Sequence, residues 1–230
     1  MIRSSRLAAI LTLAFSFVSG VLVSGAANAD VIYQNNTTYT LDGTSDVYIG
    51  DYGLTGPSAT YVIDASATFN LSATFDVMLF NTNGAPNGPD LFYVNGICNS
   101  TPTFYWNNYN SCGSPFSDAA PAATNDGNLH QYVVVLNSVA DTSELYFDGV
   151  SVGTAAYYAP ADNLTLGGDS TGFDWTGTIS GVTIYDTALT ADQVGALPLP
   201  GGQQSVPEPF SLGLFGAGLF GIRLVRRRKG

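Results

Sequence analysis

From residue 47 to residue 185 the chain alternates short apolar runs with clusters of Gly, Asn, Asp, Ser and Thr, and no long segment spaces its apolar positions helically. The runs are Val47–Ile49, Tyr61–Ile63, Thr74–Phe80, Leu91–Val94, Thr103–Trp106, Tyr132–Leu136, Leu145–Phe147, Leu164–Leu166 and Gly181–Tyr185. Short segments rich in β-branched and aromatic residues and bounded by turn formers predict strands. Many of them in one chain predict an all-β sandwich or barrel. The sharpest local signal is Glu144–Val152, where Asp148-Gly149 separates two strand-like triplets. A two-residue hairpin turn needs φ > 0 at both central positions, which Asp and Gly accept. Thr190-Ala191-Asp192-Gln193 carries a capping-box pattern and predicts one helical turn. Beyond it, the Pro- and Gly-rich stretch from Leu197 reads as a linker, and no internal repeat is present.

The two ends follow a different pattern. Arg3 and Arg6 precede an uncharged apolar run, Leu7–Val23, which gives way to small residues ending in Ala27-Asn28-Ala29. That order predicts a signal peptide cut by signal peptidase after Ala29. The apolar run alone would also suit an N-terminal anchor, and the small-residue exit favours cleavage. At the other end, Val206-Pro207-Glu208-Pro209 leads into the uncharged stretch Phe210–Ile222 and then Arg223, Arg226, Arg227, Arg228 and Lys229. A helix over residues 210–225 would be about 24 Å long, short of a bilayer core of ~30 Å. The basic cluster would hold its end in the cytoplasm. The organisation expected is therefore a signal peptide (1–29), a β-domain (30–196), a linker (197–205) and a C-terminal membrane segment with its flanks (206–230).

Charge sharpens this division. All seven Lys and Arg lie in the two end segments, while of the 18 acidic residues all but Glu208 fall in Asp30–Pro207. Nucleic acid is excluded as a partner, because phosphate binding needs basic side chains. Direct capture of polyanionic glycans is disfavoured for the same reason. Such an acid excess calls either for a counter-ion or for a heavily hydrated surface. Calcium, which takes oxygen ligands, is the natural counter-ion. Cys98 and Cys112 both fall in the exported segment, where an oxidising compartment predicts a disulfide worth ~3 kcal/mol in loop entropy. One His and two Cys cannot build a structural zinc site.

The C-terminal tail resembles a PEP-CTERM sorting signal in all three of its parts: Val206-Pro207-Glu208-Pro209, the apolar helix, and the Arg226-Arg227-Arg228 cluster. The resemblance implies a Gram-negative, exopolysaccharide-producing bacterium. It also implies an exosortase that cuts near the motif, so that the helix anchors the protein in the membrane transiently before release to the envelope or outside. A second resemblance covers residues 126–195. Asp126–Val135 is similar to the "G-x-W-H-x-V" strand of concanavalin A-like, laminin-G-like (LamG) jelly rolls, with Leu129 in place of Trp. Leu145–Gly149 resembles their "L-Y-x-D-G" hairpin. Leu164–Gly168, Phe173 and Gly177–Asp186 resemble their closing strands, with Ser180-Gly181 in place of an acidic pair. The fold implied is a LamG-like β-sandwich.

Members of that family are either binders or glycoside hydrolases. The glucanases among them carry an E-x-D-x-x-E strand, whereas residues 30–207 hold a single Glu, Glu144. A glycosidase needs two carboxyl groups about the scissile bond. The nearest acidic pair, Asp169 and Asp174, reads better as a turn and a surface loop, so no catalytic residue is assigned. The family also implies a calcium on one rim, for which loop placement nominates Asp51, Asp169 and Asp174. Aromatic faces stack on sugars and carboxamides bond hydroxyls, which nominates Tyr105, Trp106, Tyr109 and Trp175 as sugar contacts, against the alternative that these rings enter the core. The expected function is non-catalytic association with extracellular polysaccharide, with calcium as a structural or bridging ion. The rival expectation is a purely structural matrix protein. A hydrolase of exopolysaccharide is a third.

Overall fold

In a computed structural model of the chain, the residues described are 29–70, 75–82, 89–95, 101–108, 115–116, 119–168 and 174–201. The expected signal peptide up to residue 28, Cys98, Cys112, Tyr109, Asp169 and the whole sorting segment, Val206, Pro207, Glu208, Pro209 and Arg226–Arg228 included, lie outside them.

The described residues form strands β1 (Val31–Asn35), β2 (Tyr39–Asp42), β3 (Val47–Asp51), β4 (Ala59–Ala67), β5 (Phe75–Thr82), β6 (Pro89–Asn95), β7 (Thr103–Asn108), β8 (His130–Asn137), β9 (Thr142–Phe147), β10 (Val150–Ala156), β11 (Asn163–Leu166) and β12 (Thr176–Tyr185). One turn of 3-10 helix, Ala122–Asn125, precedes β8, and a short helix α1, Ala191–Gly195, follows β12. The strands make two antiparallel sheets. The larger runs β1-β12-β4-β8-β9-β10, with β2 also on β12, and the smaller runs β3-β11-β5-β6-β7. This is the all-β sandwich that the sequence predicts.

Period-two alternation places the core. Along β4, Tyr61, Ile63 and Ala65 point inward, and their neighbours Tyr132 and Val134 on β8, Leu145 and Phe147 on β9, and Val182 and Ile184 on β12 share that face. The smaller sheet answers with Phe80, Leu91, Tyr93, Phe104, Trp106, Leu164 and Leu166. Aromatic rings stitch the two layers together. Tyr61 meets Phe80 at 5.2 Å and Phe104 meets Tyr132 at 5.7 Å between ring centroids, the second edge-on.

The predicted turn and cap both form. Asp148 and Gly149 have φ of 50° and 77°, the pair of positive values that closes a two-residue hairpin between β9 and β10. Thr190 caps α1, and Gln193 returns the bond to the Thr190 backbone. This cap fixes α1 against the outer face of the larger sheet. There Leu189 and Val194 cover Val62, Val133, Val135 and Tyr146 in a second, smaller apolar cluster. Strands β1 and β2 escape the sequence pattern, being short, and they pair with β12. Asp30 and Asp186 close that edge: the Asp186 amide donates to the Asp30 carbonyl (3.2 Å), and the Asp30 amide donates to the Asp186 carboxylate (3.3 Å).

Candidate functional site

Of the aromatic residues nominated for sugar contact, Tyr105, Trp106 and Trp175 belong to the interior, and for these three the expectation is corrected; Tyr109 lies outside the described residues. Trp106 is 0% exposed, because β7 turns it inward with Phe104 to meet Phe80 and Phe116. Trp175 is also 0% exposed; its indole N–H donates to the Ser66 carbonyl at 2.7 Å and its ring packs edge-on against Phe69. Tyr105 points to the other side of β7 yet is only 4% exposed, and burial raises its hydroxyl pKa. None of these three rings offers a face to a ligand.

Of the acidic trio, Asp169 lies outside the described residues, and the other two stand apart. Asp51 ends β3 opposite Asn163, whereas Asp174 lies against Gly168, past the other end of β11. Asp51 and Asp174 thus lie toward opposite ends of β11, and among the described residues no group of three His, Cys, Asp or Glu stands close enough to hold a metal.

Two arrangements escaped the sequence reading. The first surrounds His130. Its ring stacks on Phe147 at 4.7 Å, with Nδ1 2.6 Å from Asp148 and Nε2 3.1 Å from Asp126. Burial opposes the imidazolium, but the two carboxylates outweigh it and hold the pKa above its ordinary value. Asp148 also accepts from the Gln131 amide at 2.9 Å. With both ring nitrogens engaged, His130 is a clasp between β8 and the β9–β10 hairpin. It is not poised as a general base.

The second arrangement is a hollow of about 190 Å³ on the outer face of the larger sheet, room for about six waters. Its floor comes from the outward positions of β4 (Val62, Asp64), β8 (Gln131) and β12 (Gly181, Thr183, Tyr185). Its walls are Val31, Gln34 and Asn36 on one side and Leu197 and Pro198, just after α1, on the other. A bulge at Ser180 interrupts the pairing of β12 with β4, so that Ile179 and Val182 both reach the core while Gly181 comes to lie beside Asp64. A Cβ at Gly181 would sit 3.1 Å from Asp64 Oδ2. The Ser180-Gly181 departure from the family pattern thus makes room for this carboxyl group.

The polar groups of the floor are incompletely matched. Burial pushes the Asp64 pKa up to about 6, Gln131 lowers it by donating at 3.4 Å, and the nearby Asp148 charge raises it further. Gln131 is 1% exposed; its Nε2 donates to Pro198 O at 2.8 Å and to Asp64. Its carboxamide oxygen, Oε1, is buried and has no donor among the described residues. Unsatisfied buried acceptors are costly and infrequent, and this one sits at a tip held between two lining residues. Among the described residues, Asp64 is the one carboxyl group in the lining.

Comparisons with known proteins place this geometry. Residues 66–195 match the family described as Concanavalin A-like lectin/glucanases superfamily, and residues 205–229 match the PEP-CTERM protein-sorting motif. No curated protein matches the chain. Among solved structures, the fold is similar to the CBM40 of a Ruminococcus gnavus IT-sialidase bound to α2,3-sialyllactose (TM-score 0.51, 15% identity, 72% of this chain and 97% of that one). It is also similar to the SAP-like pentraxin of Limulus polyphemus (TM-score 0.55, 12% identity, 73% and 84%). The NanB sialidase of Streptococcus pneumoniae is a much longer protein: at 17% identity and a TM-score of 0.49, the match takes in 74% of this chain and 28% of that one.

Proposed function

For a chain that belongs to the concanavalin A-like lectin/glucanase superfamily and carries a PEP-CTERM sorting motif, we propose non-catalytic association with extracellular polysaccharide at the hollow around Asp64. The sorting motif implies export and exosortase processing, with delivery to the envelope or extracellular space of a Gram-negative bacterium. The observation that carries the carbohydrate reading is the mixed lining of the hollow. Carboxamides (Gln34, Asn36, Gln131), hydroxyls (Thr183, Tyr185) and one carboxyl surround apolar Val62 and Leu197. Sugars present hydroxyls and C–H faces together, and carboxamides both donate and accept. A lone carboxyl group supports binding over hydrolysis.

Calcium enters this reading as an ion bridging the acidic surface to acidic glycans, and not through Asp51 and Asp174 together. The test is retention of the exported, processed protein on a panel of polysaccharides, the producer's own included, in calcium and then in EDTA. Selective retention supports the reading, and its loss in EDTA assigns the bridging role to calcium. Passage of the protein through every column in both buffers leaves the structural matrix protein as the better account. Release of reducing ends from any of them would overturn the non-catalytic part.

A further inference from the structure

Resting on the carbohydrate reading above, we propose that the hollow selects a sugar residue bearing a free primary amine, its ammonium seated between Asp64 and the Gln131 carboxamide oxygen. Acceptors outnumber donors at the floor. Gln131 Nε2 is already spent on Pro198 O and Asp64, leaving Gln131 Oε1 buried and without a donor among the described residues, and Asp64 Oδ2 facing the space beside Gly181. An ammonium brings three N–H donors and no acceptor, so it satisfies Gln131 Oε1 and Asp64 and keeps one donor for a neighbouring oxygen.

Charge points the same way. Residues 30–207 contain no Lys or Arg to neutralise Asp64, and the charged group that acts on it most strongly is Asp148, of like sign. The imidazolium of His130 is turned to Asp148 and Asp126. Three rival ligands fit less well. An acidic sugar would meet Asp64 with no Lys or Arg side chain to bind it. A neutral hydroxyl would supply one donor and leave the desolvated charge uncompensated. A calcium ion wants six to eight oxygen ligands and more than one carboxylate at that price in dehydration. The apolar wall of Val62 and Leu197, with the Tyr185 ring, remains for the C–H face of the pyranose.

The experiment is calorimetric titration of the processed protein at pH 6.5 in 150 mM salt with a glucosamine tetramer, its fully N-acetylated form, and a glucose tetramer. The expected result is binding of the free-amine tetramer at least tenfold tighter than either of the others. Asp64→Asn should abolish that preference, while Asp46→Asn, which removes the same charge from an exposed position before β3, should keep it. Gly181→Val, which fills the space beside Asp64, should weaken binding as Asp64→Asn does. Equal or tighter binding of the acetylated or glucose tetramer would overturn the amine assignment and leave the carbohydrate reading intact. Equal weakening by Asp46→Asn would reduce the effect to bulk charge and overturn it too. No heat with any of the three, together with passage through every polysaccharide column above, would overturn both.

Discussion

Replacing Asp64 by Asn should make the protein more stable, and the gain should depend on pH in a defined sense. Asp64 is displaced from 3.8 in the open chain to about 6 in the fold, chiefly because its ionised form is desolvated. At 1.36 kcal/mol per pH unit that displacement is a ceiling of about 3 kcal/mol. Asp64 keeps some contact with solvent, and screening brings the figure to about 1.5 kcal/mol. The sign follows from proton linkage: between pH 3.8 and 6 the native state binds the extra proton, so stability falls as pH rises through this window and stays low above it. Asn keeps an oxygen for the Gln131 donor and carries no charge. Thermal and urea unfolding of wild type and Asp64→Asn should therefore coincide near pH 3.5. At pH 7.5 they should separate by about 1.5 kcal/mol, or about 3 to 6 °C for a domain of this size. A variant less stable than wild type at pH 7.5, or a gain equal at both pH values, would refute the reasoning.

Other outcomes follow from the same geometry. His130→Gln should lower stability by about 2 kcal/mol at pH 5.5, where the imidazolium donates to both Asp148 and Asp126. Because the folded pKa of His130 is raised, that contribution is full below about 6.5 and fades as pH climbs through the folded value, so the gap between the two proteins should narrow by pH 8.5; a gap that widens would disprove the clasp. Trp106→Ala should cost about 3 to 5 kcal/mol of unfolding free energy, by cavity formation in the core, and a stable variant with impaired glycan retention would restore the sugar-contact role denied to Trp106 here. Trp175→Phe should cost about 1 kcal/mol from the lost bond to the Ser66 carbonyl, read by urea midpoint at unchanged slope.

The layout of the sandwich was legible in the chain because its strands alternate in phase with a single core and because Asp148-Gly149 and Thr190–Gln193 carry turn and cap chemistry that admits few alternatives. The candidate site was not legible. Aromatic residues look alike in sequence whether they stack on a sugar or fill a core. Trp106 is interior because of its strand phase, which its surrounding Asn and Tyr residues obscure, whereas Trp175 stands just before β12, tied inward by its indole N–H on the Ser66 carbonyl. Asp64 lies in a run reading Ile63-Asp64-Ala65-Ser66, where one acid on the outward face looks like ordinary solvation. Only register brings it beside Gly181, 117 positions later in the chain, and beside Gln131 of a third strand. One signal was available: Ser180-Gly181 stands where related sequences carry an acidic pair, and a glycine in mid-strand marks a bulge or a close approach.

The position of β12 bears on how the protein is made. It is the last of the described strands and an interior one in its sheet, with β1 and β2 on one side and β4 on the other. A chain emerging from the export channel therefore carries its first strands and β4 with their inner edges open until nearly all of the domain has crossed. Contacts spanning so much of the chain close slowly, and open strand edges recruit other chains. Synthesis order alone thus puts folding after translocation. A chain stopped before residue 176 lacks not a terminal trimming but the strand that joins both halves of the larger sheet, and it should be degraded or aggregate in place of accumulating as a shortened domain.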